Sequence, residues 1–186
     1  MITANFDLPI LDWIAAHLWC PFLDAVIPAI THLGDGGIFW IGLALVLMCI
    51  PSCRKTGIAM VFALLMGLLV CNLALKPLIG RMRPFDYQLL QGNMIPLLIE
   101  APTDFSFPSG HTIASFEAAT VVLICHRKWG IGAMALAMLI AFSRLYLYVH
   151  YPTDVLASVV LGIGIGFVAN YLVDRGYALY ERKKLQ

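Results

Sequence analysis

Apolar residues run along this chain in long blocks separated by short polar clusters. Five blocks, at 36–52, 57–76, 109–126, 129–148 and 152–174, read as spanning helices. Each approaches the ~20 residues a helix needs to cross the hydrocarbon of a bilayer. Only helices and closed barrels satisfy their backbone groups there. A barrel would alternate apolar and polar positions in segments of about ten residues, so continuous runs predict helices. The pattern predicts an all-α, polytopic transmembrane helical bundle with five spans.

The first 35 residues read differently. Leu11, Ile14, Ala15 and Leu18 fall on one helical face, Pro21 ends that run, and a second apolar run leads to Gly34. Asp12, His17, Asp24 and His32 interrupt both. Two amphipathic helices lying along the interface are expected over 1–35, with a sixth span over about 8–33 as the alternative. The transmembrane bundle then occupies 36–186 and carries a polar loop at 80–108.

Composition strengthens this picture. Of 186 residues, 61% are hydrophobic and 12% charged, roughly half the charge of an ordinary soluble domain. A net charge of +1 leaves no basic footprint for nucleic acid. The five cysteines form no C-x-x-C pair and read as small apolar residues. The first Lys or Arg is Arg54, so no basic leader of a signal peptide is expected. The sequence carries no signal for an oligomeric state.

Charge placement sets an expected orientation. Arg54, Lys55, Arg127, Lys128, Arg175, Arg182, Lys183 and Lys184 share one side if the five spans alternate, and that side is expected to be cytoplasmic. Lys76, Arg81, Arg83 and Arg144 then fall at the opposite ends of spans. The same alternation brings Ser109, His111, His150 and Asp154 to that level. Charges beside hydrocarbon are costly unless paired. This group is rich in cations and poor in anions, so an external anion is the natural partner.

Two helix starts suit such a ligand. In FPSGH, residues 107–111, Ser109 is a good N-cap, Gly110 admits a close approach to the backbone, and His111 sits in the first turn. The free N–H groups of a helix N-terminus favour an anion. In HYPTD, residues 150–154, Pro152 suits a first turn. Asp154 is then placed to reach one imidazole nitrogen of His150 and leave the other free to attack. Either feature alone usually means only a helix start; together with three cations they indicate phosphoryl chemistry.

Three stretches, KPLIGRMRP (76–84), PSGH (108–111) and SRLYLYVHYPTD (143–154), resemble the K-x6-R-P, P-S-G-H and S-R-x5-H-x3-D motifs of the type-2 phosphatidic acid phosphatase superfamily. The resemblance covers about residues 30–175. It implies that His150 is the nucleophile, oriented by Asp154, and forms a phosphohistidine. It implies that His111 is the general acid and that Lys76, Arg83, Ser109, Gly110 and Arg144 hold the phosphoryl oxygens. It implies neither metal nor other cofactor.

The function expected from this resemblance is metal-independent hydrolysis of a membrane lipid phosphate or diphosphate at the outer face of the plasma membrane. Undecaprenyl diphosphate is favoured over phosphatidylglycerophosphate and phosphatidic acid. The alternatives are a lipid phosphotransferase using the same site and a non-catalytic anion-binding or transport protein. A soluble haloperoxidase would share the motifs but not the spans. Arg81 is a candidate contact for a second phosphate. Glu117 is expected to make an interhelical contact off the His111 face. Tyr146, Tyr148 and Tyr151 are expected to form an interfacial aromatic belt.

Overall fold

A computed structural model describes residues 4–184, and every regular element in it is helical. The helices are α1 (Ala4–Leu18), α2 (Pro21–His32), α3 (Ile38–Cys49), α4 (Arg54–Leu68), α5 (Lys76–Ile79), α6 (Pro84–Leu90), α7 (Gly110–Cys125), α8 (Arg127–Tyr146) and α9 (Pro152–Lys184). A short 3₁₀ turn, Asp35–Gly37, joins α2 to α3, and a π-helical stretch, Leu69–Leu75, joins α4 to α5.

The stretch Arg54–Leu90, α8 and α9 are each long and apolar enough to cross a membrane. α2 and the stretch Asp35–Cys49, bent by 42° at their junction, make a fourth candidate if the pair is one span. α7 is apolar but has only 16 residues. The five expected blocks therefore correspond to α3, α4–α5, α7, α8 and α9, of which three qualify by themselves. Large apolar side chains such as Leu45, Leu68, Leu73, Met138, Val160 and Phe167 face outward, an exposure suited to lipid.

α7 is the centre. Its side chains are buried on all sides, from Thr112 and Ile113 to Val121 and Val122, which marks an interior helix. It packs on α4, α8 and α9. Small residues permit the approach. A Cβ on Gly166 would lie 2.7 Å from Thr120 Cβ and 2.8 Å from the Glu117 carbonyl oxygen, whereas one on Gly164 would meet nothing within 4 Å. Spacing of small residues by four is a common device for close helix contact in bilayers. Gly166→Ala should lower stability by about 1–3 kcal/mol through overpacking, and Gly164→Ala should not. Thermal unfolding of both variants in the same detergent checks this.

α1 and α2 are separate helices broken just before Pro21, as the pattern predicts, and Leu11, Ile14 and Ile27 are buried. Their apolar faces pack against α8, and α1 also reaches α9. Their acidic residues serve the same contact. Tyr148 Oη donates to Asp12 at 2.6 Å and Tyr146 Oη to Asp24 at 2.7 Å. Tyr146, Tyr148 and Tyr151 are at most 3% exposed, so the expected aromatic belt is corrected. These rings are internal struts between the N-terminal helices and the turn after α8. That turn holds Tyr148 at φ 58°, a left-handed conformation that costs a non-glycine residue of order 1–3 kcal/mol.

Candidate active site

The motif residues arrive from three places and meet at one end of the bundle. Lys76 follows the π-helical stretch, which re-aims the helix just before it; such irregularities recur at functional sites. Arg83 immediately precedes α6. Gly110 and His111 open α7, Arg144 lies in the last turn of α8, and His150 sits between α8 and α9. All six line one cavity of about 410 Å³, together with Thr31, His32, Asp35 and the loop segment 99–104.

The cations are held in place. Lys76 Nζ and Arg83 Nη2 both donate to the Asp104 carboxylate. Arg83 Nε donates to the Asp104 carbonyl at 2.8 Å and Nη1 to the Val149 carbonyl at 2.8 Å. Arg144 Nη1 donates to Thr31 Oγ1 at 2.7 Å, while its buried Nε has no partner. Burial alone would raise the Asp104 carboxyl, but Lys76 and Arg83 outweigh it and hold it at about 2. Asp104 thus stays ionised throughout the neutral range.

His150 is 2% exposed, with Nε2 at 3.4 Å from Arg83 Nη1. Burial pushes its imidazole down to about 3; Asp154 opposes that and Arg83 and Arg144 reinforce it. The ring is therefore neutral at pH 7, the form that can attack phosphorus.

Four expectations need correction. Asp154 does not hydrogen-bond His150: Oδ2 lies 3.7 Å from Nδ1, which is left without a partner. That oxygen instead accepts from Ser106 Oγ at 2.5 Å and from the Tyr151 N–H at 3.1 Å. Arg81 is not on the cavity wall. It pairs with Asp154 and with Asp7 Oδ2 at 2.7 Å, and its guanidinium carbon lies 3.9 Å from the centre of the Tyr151 ring. Ser109 precedes α7 as expected, but its hydroxyl caps nothing. Its N–H donates to Ser158 Oγ at 2.8 Å and its Oγ accepts from Thr112 Oγ1 at 3.0 Å, behind the cavity rather than in it. Glu117 shares a cavity with His111 instead of pointing away from it, and its buried Oε2 has no partner.

That cavity, of about 430 Å³, is a second chamber lined by Ile41, Val61, Leu64, Leu65, Leu68 and Ile113 besides Glu117. Lys76, Asp104, Gly110 and His111 line both chambers. A polar chamber therefore shares a wall with an apolar groove. Gly67 makes room for the carboxyl at the groove's floor, because a Cβ there would fall 2.1 Å from Glu117 Oε2.

Residues 56–177, most of the bundle and all three motifs, match the family model described as the PAP2 superfamily. The chain belongs to the PAP2 superfamily. It is 32% identical over 138 residues to an undecaprenyl-diphosphatase of Sulfolobus acidocaldarius, covering 74% of this chain and 65% of that protein. It is 32% identical over 160 residues to phosphatidylglycerophosphatase B of Bacillus subtilis, covering 80% and 74%. The first of these relatives is thus matched over slightly less than two thirds of its length. Among solved structures, the transmembrane PAP2 type phosphatidylglycerolphosphate phosphatase of Bacillus subtilis superposes with a TM-score of 0.73 at 26% identity, over 92% of this chain and 86% of that one. The PAP2 motifs and the cavity coincide: Lys76, Arg83, Gly110, His111, Arg144 and His150 line it, and Asp154 stands directly behind.

Asp7, Thr31 and Asp35 are not marked by the sequence pattern, and His32 is marked only as an interruption of an apolar run. They belong to the N-terminal segment, where acidic and imidazole groups read as solvent-facing. The acidic residues at 7, 12 and 24 were the available signal, since each needs a partner once its helix is buried.

Proposed function

We propose that this PAP2 protein hydrolyses a membrane lipid phosphate or diphosphate, with undecaprenyl diphosphate the favoured substrate, through a phosphohistidine at the outer face of the plasma membrane. The observation that carries this reading is the shared wall. A headgroup chamber lined by Lys76, Arg83, Arg144 and two imidazoles adjoins a groove lined by aliphatic side chains. An amphipathic phosphate fits both at once. In this reading the five blocks cross the membrane, and their alternation brings the motif residues to the side opposite the basic turns. The ion pair of Lys55 with Asp174 at 2.7 Å gathers that basic end at the far end of the bundle.

The chemistry follows from the groups present. The cations take the phosphoryl oxygens and stabilise charge as it develops in the transition state. His150 Nε2 forms a bond to phosphorus as the bond to the leaving oxygen breaks, and that oxygen takes a proton from His111. A water then gives a proton to His111 and attacks phosphorus, the P–N bond breaks, and inorganic phosphate leaves. The Gly110 amide completes the cradle once phosphate enters, and Asp154 bears on His150 through the turn that both share.

Phosphate release from lipid mono- and diphosphates by the detergent-solubilised chain in excess EDTA tests the reading. Turnover that resists EDTA and is blocked by vanadate is expected. Binding of vanadate without phosphate release from any lipid in the panel would favour an anion-binding protein and reject the hydrolase.

A further inference from the structure

The chain's machinery includes a carboxylate that no motif covers. Asp35 sits in GDGG, residues 34–37, between α2 and α3. Its Oδ1 lies 2.8 Å from His111 Nε2, and its Oδ2 lies 2.7 Å from His32 Nδ1. One carboxylate therefore bridges two imidazoles, one oxygen to each. We propose that Asp35 is the positioning residue of the general acid: it fixes the His111 ring, leaves Nδ1 as the nitrogen facing substrate, and supplies the negative charge that lets this imidazole carry a proton. This rests on the hydrolase reading above.

The loop is built for that contact. Gly36 and Gly37 take φ 56° and 68°, which turns the chain back beneath Asp35. A Cβ on Gly34 would lie 2.6 Å from His111 Cδ2 and 3.0 Å from Ile140. A side chain at 34 would therefore collide with the Cγ–Cδ2 edge of the ring and push it out of place.

Electrostatics gives the carboxylate its task. From α5 and the segment before α6, Lys76 and Arg83 face the chamber; Arg144 faces it from α8, and His150 from the turn after α8. Those of them that are charged are cations and oppose a proton on His111; Glu100 also lines the chamber, in the segment 99–104. Asp104 is spent on Lys76 and Arg83. Asp35 is the carboxylate that touches His111. With Nε2–H held by Asp35, a proton on Nδ1 passes to the leaving oxygen as the P–O bond breaks. The returning proton comes from the attacking water, so the cycle balances without another donor. His32, on the open side, holds the second oxygen and keeps the carboxylate plane toward His111.

The test compares two leaving groups. An alkyl phosphate lipid leaves as an alkoxide and needs the acid; a nitrophenyl phosphate leaves as a stable phenolate and does not. Asp35→Asn should lower turnover of the lipid on the order of 10²-fold and leave the aryl substrate within a few-fold, with Asp35→Glu restoring part of the loss. His111→Asn should shift the same ratio, and the double variant should shift it no further. The ratio is independent of how much of each preparation is folded. Equal losses on both substrates, or an unchanged ratio, would overturn the assignment while leaving the hydrolase reading intact. No phosphate release from either substrate by the unaltered chain would reject the hydrolase and Asp35's role together.

Discussion

His150→Ala should reduce phosphate release from a lipid diphosphate by at least ~10⁴-fold, the scale seen when a covalent nucleophile is removed. His150 is buried, neutral and beside Arg83. The other two imidazoles on the cavity wall, His111 and His32, each contact Asp35, whereas His150 Nε2 lies beside Arg83. Retained vanadate binding in the variant would show an intact cradle of Lys76, Arg83 and Arg144. The unaltered enzyme, quenched during turnover, should carry an acid-labile phosphate on His150. Activity within tenfold of the parent would move the nucleophile elsewhere.

Asp7→Ala should destabilise the protein by about 3–5 kcal/mol, the cost of stranding a buried charge after losing its partner. Asp7 is fully buried in α1 and accepts from Arg81 Nη2 at 2.7 Å, Thr153 Oγ1 at 2.7 Å and the Thr153 N–H at 3.0 Å. Arg81 in turn grips Asp154, one turn past His150. Removing Asp7 leaves the guanidinium with one carboxylate and the first turn of α9 with a free N–H. A fall in the unfolding temperature on the order of 10 °C is expected, with activity lost alongside. The double variant Asp7→Asn, Arg81→Gln should not recover the stability, since it removes the guanidinium that also pairs with the buried Asp154. A single variant melting within 2 °C of the parent would mean that the pair carries little weight.

The helices and most of the residues that line the cavity are legible in the sequence because each leaves a local mark. Uncharged runs of spanning length mark helices, and Lys76, Arg83, His111, Arg144 and His150 sit at their ends, where a charge is conspicuous. What surrounds them was not readable, for a reason of distance. Asp7 pairs with residues more than seventy positions away, and Asp35 with His111 seventy-six positions away. No periodicity records such a contact. The N-terminal carboxylates looked like surface charge because each partner is supplied by another helix: Arg81 for Asp7, Tyr148 for Asp12, Tyr146 for Asp24. The same neighbours turned Arg81 from a candidate phosphate contact into a brace behind Asp154. Glu117 was misjudged by its helical angle, because the groove beside Gly67 is wide enough for both its carboxyl and the His111 ring to reach.

The grip of Lys76 and Arg83 on Asp104 has a consequence for how substrate comes and goes. Asp104 is a resident counterion, so a phosphoryl group enters by ion exchange and not by filling a bare positive hole. The desolvation cost of buried cations is met before any lipid arrives. Asp104 belongs to the segment 99–104 that walls the chamber, so exchange takes place at the wall, where its carboxylate is half exposed. In the proposed reaction the carboxylate would compete for the same two cations and help expel the inorganic phosphate left behind.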